Sequence, residues 1–202
     1  MRSRTELILN KGRLESFSDG VFAIAATLLV LELRLPSFQG PIAASQQVKD
    51  LVSIWPQYLV YFVSFATIGI MWLNHHALFK NVRRVTHAIA LANLSLLSLI
   101  SFLPFPTEVL GRYGLTSIAI LYYGLTMTLI SVAYNVLYQQ VVAAHPGSKN
   151  RRTLWGIVGL TLYPLASLLG YFAPAAGLVG MGLLAIFYMQ ARNLRAAVLE
   201  VE

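Results

Sequence analysis

The side chains able to transfer a proton, pair with an ion or hold a metal collect in two short stretches. Arg13, Glu15, Ser18 and Asp19 open the apolar run Gly20 to Leu31, and Trp72, Asn74, His75 and His76 close a second apolar run. Ionisable groups are costly beside hydrocarbon, so in a membrane segment they pair within the protein or serve a conduction path. Adjacent histidines project from different sides of a helix, which disfavours a shared metal and favours orientation by hydrogen bonds. Glu15 and Asp19 have a plainer explanation as acids in the first turns of a helix, and Arg13 has one as a membrane-edge anchor. Catalysis finds no support. There is no His-Glu-x-x-His pair, no Gly-x-Ser-x-Gly elbow, no nucleophilic cysteine and no carboxylate pair deep in an apolar run. Neither an enzyme nor a cofactor is expected.

The elements that must position these residues are membrane helices. Of 202 residues, 57% are hydrophobic and 11% charged, with mean hydropathy +0.66; soluble domains carry about a quarter charged residues. Spans of about 20 residues fall near Leu14–Leu35, Leu51–Leu73, Val82–Phe105, Leu115–Val142, Leu154–Phe172 and Ala175–Met189. Turn chemistry separates them at Pro36 to Pro41, Asn81, Pro104 with Pro106, His145-Pro146-Gly147, and Pro174. The last two spans form a tight hairpin. Met1 to Lys11 is polar and basic, so no cleaved leader is expected, and the absence of cysteine excludes disulfides and thiolate metal sites. The expectation is an all-α integral membrane protein, residues 1–202 forming one domain of six transmembrane helices.

The net charge of +7 suggests nucleic acid until the basic residues are sorted by side. Arg2, Arg4, Lys11, Arg13, Lys80, Arg83, Arg84, Lys149, Arg151, Arg152, Arg192 and Arg195 share one side, and Arg34, Lys49 and Arg112 the other, a split of 12 to 3 among 15. Basic loops stay cytoplasmic, so the charge is topological, nucleic acid is not a partner, and both termini of a multi-pass protein lie on the cytoplasmic side of the cell inner (plasma) membrane. Trp55 and Trp72 bracket the second span and Trp155 starts the fifth, as expected at headgroup depth. Ser95, Ser98 and Ser101, near Asn93, suit close helix packing, as do Gly177, Gly180 and Gly182. Tyr122, Tyr123, Tyr134 and Tyr138 are expected at interfaces or subunit contacts.

On the first span, at about 100° per residue, Arg13, Phe17, Gly20, Ile24, Thr27, Leu28 and Leu31 share one broad face and Asp19 points well away from it. Such an apolar stripe is commonly a packing face. Asp19 should instead seek partners on a neighbouring helix of the same subunit. Trp72, Asn74, His75 and His76 are on offer there, so a polar knot joining them to Arg13, Ser18 and Asp19 is expected.

The string Arg13-x-x-x-Phe17-Ser18-Asp19, followed by Ile24-Ala25-Ala26-Thr27, resembles the signature of the transmembrane protein 175 family, lysosomal potassium channels and their prokaryotic relatives. The six spans and the tryptophan and histidine cluster fit as well. The resemblance implies that the first helix lines a pore, that Ile24 forms a hydrophobic constriction, and that Thr27, Leu28 or Leu31 face the ion. Phe-Ser-Asp occurs once here, so it also implies a homotetramer around a central axis. Potassium ions, passing transiently with no fixed site, and membrane lipids are the implied partners. No Thr-Val-Gly-Tyr-Gly stretch exists to supply carbonyl rings. The alternative is a secondary transporter or proton-coupled carrier titrating Asp19 and His75 or His76; a non-conducting scaffold is the third reading.

Overall fold

A computed structural model describes residues 10–36, 43–80, 82–144 and 154–199, the side chains of 154–158 and 188–199 excepted. The described regular structure is helical apart from one bridge residue, Val85. In chain order it comprises α1 (Lys11–Leu28), α2 (Ala44–Ser53), α3 (Trp55–Lys80), α4 (His87–Phe102), α5 (Pro104–Tyr113), α6 (Ser117–Ala143), α7 (Leu154–Phe172) and α8 (Pro174–Leu199). Among the described residues, four helical stretches are long and apolar enough to cross a membrane: Lys11–Glu32, Trp55–Lys80, His87–Tyr113 and Ser117–Ala143. The apolar parts of the last hairpin, Gly159–Phe172 and Pro174–Phe187, are shorter.

Local chemistry sets the boundaries. The Asn10 side chain caps α1, accepting from the Arg13 backbone N–H at 3.3 Å. The helix tightens at Leu29–Glu32 into a 3-10 turn instead of continuing to Leu35. The second span starts at Trp55, four residues later than expected, behind the separate helix α2. Pro56 has no N–H to give the Val52 carbonyl, so the chain breaks around Ile54 and restarts. Pro104 and Pro106 do not end the third span. Both sit in the first turn of α5, where a missing N–H forfeits no helix bond, and the span runs on to Tyr113. Of the expected turns, Asn81, His145-Pro146-Gly147 and all of Pro36 to Pro41 except Pro36 lie outside the described residues, as do Arg2, Arg4, Lys149, Arg151 and Arg152.

Packing centres on α6, which lies against α4, α5 and α7, while α1 packs on α3 and α4. Lipid is as apolar as leucine, so close approach rather than water exclusion joins these helices. A Cβ on Gly177 would sit 2.8 Å from Gly170 N and 3.0 Å from the Ala166 carbonyl oxygen, so α7 and α8 meet backbone to backbone there. Gly180 and Gly182 have ordinary room. Two expectations are corrected. Tyr123 is fully buried within the subunit, its hydroxyl 3.0 Å from Ser64 Oγ, which in turn lies 2.9 Å from Thr107 Oγ1; a hydroxyl cluster in the core has captured it. Ser95, Ser98 and Ser101 face outward, and Ser95 and Ser101 donate to carbonyls of their own helix.

Candidate functional site

Three directions divide α1. Ser18, Phe22, Ala25 and Leu29 recur at helical spacing and are buried, Ser18 and Leu29 at 0% exposure. On the opposite side Arg13, Phe17, Gly20, Ile24, Thr27, Leu28 and Leu31 are all exposed, Ile24 at 61% and Leu31 at 67%. Among the described residues, no helix of the same chain covers that row. Asp19 points in the third direction, about 120° from the exposed row.

The buried side is fixed by a directed chain of hydrogen bonds. His75 Nε2 and Asn93 Oδ1 are 2.7 Å apart, Asn93 Nδ2 donates to Ser18 Oγ at 2.9 Å, and Ser18 Oγ donates to the Leu14 carbonyl at 2.8 Å. An amide oxygen can only accept, so His75 carries its proton on Nε2 and donates. The three donors all point the same way along the chain, and each bond polarises the next. The His75 ring lies between Phe22, at 5.5 Å, and Phe79, stacked at 4.3 Å. In the third direction Trp72 Nε1 donates to Asp19 Oδ1 at 2.8 Å, and the His76 ring stacks on Trp72 at 6.0 Å. One carboxylate and one indole thus join α1 to α3, while one amide on α4 ties both.

Of the residues singled out by sequence, Ser18, Asp19, Trp72, His75 and His76 come together, the last through its ring contact only. The Arg13 side chain is exposed and has no carboxylate partner among the described residues. Asn74 is half-buried; its backbone carbonyl accepts from the Tyr134 hydroxyl at 3.3 Å. The residue that sequence reasoning missed is Asn93. Beside Ser95, Ser98 and Ser101 it reads as part of a packing stripe, yet it is fully buried while those serines are exposed. The usable signal was a lone amide in an apolar helix, which must find partners. Among the described residues no three His, Asp or Glu side chains are placed to share a metal ion.

At the other end of α1 the contacts are ionic. Arg34 Nη2 and Arg112 Nη2 each lie 2.9 Å from Glu108 Oε1, Arg34 Nη2 lies 3.9 Å from Glu32 Oε2, and the Arg34 backbone N–H donates to Gln57 Oε1 at 2.9 Å. The described basic residues therefore segregate: Lys11, Arg13, Lys80, Arg83 and Arg84 at the end of the bundle marked by Asp19 and Trp72, Arg34, Lys49 and Arg112 at the end marked by Glu108 and Gln57.

On the exposed row, Thr27 Oγ1 donates to the Ile24 carbonyl at 2.9 Å. Its hydroxyl proton is occupied, so the oxygen turns only lone pairs outward.

Comparison with known proteins completes the site. The family model described as endosomal/lysosomal potassium channel TMEM175 matches residues 13–104, the segment that contains Asp19, Trp72, His75 and Asn93. A potassium channel of Streptomyces collinus is 36% identical over 190 residues, covering 88% of this chain and 90% of its own. The human endosomal/lysosomal proton channel TMEM175 is 31% identical over 81% of this chain, which spans 36% of that protein's length. The crystal structure of a lysosomal potassium-selective channel TMEM175 homolog from Chamaesiphon minutus superposes with a TM-score of 0.80 at 36% identity, covering 91% of this chain and 98% of that one. With the Phe-Ser-Asp helix, its partners on α3 and α4, and these relatives in agreement, the chain belongs to the TMEM175 family.

Proposed function

We propose that four copies of this chain enclose a potassium-permeable pore lined by the exposed row of α1, with Ile24 at its constriction and Thr27, Leu28 and Leu31 beyond it. One observation carries this reading. The row is apolar at its centre and uncovered by the described residues of its own subunit, while the described polar anchors of α1 leave from other sides. The names of the bacterial relatives supply the ion, and α7 and α8 complete six spans, which returns both termini to one side. The Lys11, Lys80, Arg83 and Arg84 end is the cytoplasmic one, by the excess of basic residues.

A ring of isoleucine side chains offers a cation nothing in place of its water. Conduction through it needs a neck wide enough to retain part of the hydration shell, or one that rewets on opening. Potassium sheds water at lower cost than sodium, so such a neck discriminates modestly, and the lone pairs of Thr27 give the partly dehydrated ion a transient ligand just past it. Asp19, turned away from the axis and bonded to Trp72, positions the helix and does not meet the ion.

Planar-bilayer recording of the purified protein tests this. Unitary currents whose reversal potential is displaced from zero toward the potassium equilibrium potential are expected, and Ile24→Asn should raise conductance about three- to tenfold while lowering potassium-over-sodium preference, because a polar neck holds water. Saturable coupled flux without unitary events would favour a carrier using Asp19 and His75 or His76. Unchanged conductance and ion ratios in Ile24→Asn would remove that residue from the constriction.

A further inference from the structure

The short helix α2 is turned the wrong way round for a helix that rests on protein. The residue it buries is its carboxylate: Asp50 accepts from Gln46 Nε2 at 2.8 Å, and its Oδ2 has no hydrogen-bond partner among the described residues. Its apolar residues Val48, Leu51 and Val52 are exposed, within an arc of about 100° that excludes Asp50. This exposed row does not stop with α2. Trp55, Leu59, Phe62 and Phe65 carry it onward at steps of three and four along α3, a helix long and apolar enough to span a membrane.

Length decides where α2 must lie. With 26 residues, α3 is about 39 Å long against a hydrocarbon core of about 30 Å, so its Trp55 end reaches headgroup depth. A straight continuation would hold Val48, Leu51 and Val52 in water. The chain instead leaves helical geometry at Ile54 (φ −85°, ψ 15°), one residue before Trp55 and two before Pro56.

We propose that α2 is a bilayer anchor: it lies in the interfacial plane of the leaflet at the Trp55 end, with its Val48, Leu51 and Val52 edge set into the glycerol and upper acyl region of the phospholipids. Lipid is the occupant because the row continues the apolar surface that α3 presents along its membrane-crossing length. The row also carries no charge, and its one polar atom is the indole N–H of Trp55, a ring suited to headgroup depth. A protein partner would need about one hydrogen bond per 100–200 Å² of contact, which this row cannot supply.

The chain contains no cysteine, so single labels need no prior engineering. Val48→Cys, Val52→Cys, Leu59→Cys and Ser53→Cys, all at exposed positions, would carry an environment-sensitive fluorophore in the full chain, reconstituted into vesicles of phosphatidylcholine brominated high on the acyl chain. Quenching at Val48 and Val52 should reach at least about half of that at Leu59, while the Ser53 label, about 150° round the helix, is quenched several-fold less. On the unlabelled variants, a water-soluble maleimide should alkylate Ser53→Cys about tenfold faster than Val48→Cys or Val52→Cys. Quenching at Val48 and Val52 no deeper than at Ser53, with alkylation equally fast, would overturn the proposal. So would disulfide formation between copies of Val48→Cys without quenching, which would put a second chain over the row.

Discussion

At its Lys11 end α1 is held by buried, neutral hydrogen bonds running from His75 through Asn93 to Ser18. At its Glu32 end the chain is held by ion pairs among Arg34, Glu108 and Arg112, in which the arginine side chains are 56% exposed. The two solutions follow from solvent. A buried donor or acceptor left unpaired costs about 1–3 kcal/mol, so the first site must be complete. Glu108 is only 20% exposed, but its arginine partners open to solvent; such solvent-screened pairs contribute about 0–1 kcal/mol, so the second can rearrange. The helix is therefore rigidly referenced at one end and more loosely tied at the other.

The contrast can be broken from the strong end first. Asn93→Leu leaves Ser18 without its donor and His75 without its acceptor, and should destabilise the subunit by about 2 kcal/mol or more; thermal unfolding followed by size exclusion in detergent measures this. Asp19→Asn keeps the shape but discharges the acceptor of Trp72, with an expected loss of about 1 kcal/mol. Its main readout is assembly or open probability in single-channel records, with unitary conductance unchanged; a normally assembled mutant with reduced conductance would put Asp19 in the ion path. Glu108→Gln should have the smallest effect, under about 1 kcal/mol at low salt and vanishing at high ionic strength. If its cost instead matched that of Asn93→Leu and ignored salt, the distinction between the two ends would be wrong.

Much of the rigid end could be read from the chain alone. Asp19 cannot share the direction of Ile24 on any helix, and Trp72 and His75 were the polar groups that topology brought to its level. The sorting of basic residues likewise set Arg34 and Arg112 together, where they share Glu108. The hub was not legible, because Asn93 stands beside three serines that make a convincing packing motif and only the rotation of α4 decides which side turns inward. Nor was α2 visible: its first seven residues, with Gln46, Gln47, Lys49 and Asp50 among them, read as loop and its last three as the start of the second span, and its exposed apolar row makes sense only beside α3. Pro104 and Pro106 misled for a related reason. A proline marks a boundary without saying whether the helix stops there or starts.

The 3-10 turn at Leu29–Glu32 gives the Glu32 end of the exposed row a thread pitch of its own. An α-helix advances about 100° per residue and a 3-10 helix about 120°, so residues three apart eclipse in the latter. Leu31 consequently stands above Leu28 like a second bead on one wire, while the α-helical arc below it staggers Ile24 against Thr27. Rewinding those four residues into α form would swing Leu31 about 60° around the axis and draw the far end in by about 2 Å. This segment is a vernier, in which a small change of winding resets how two leucine tiers align.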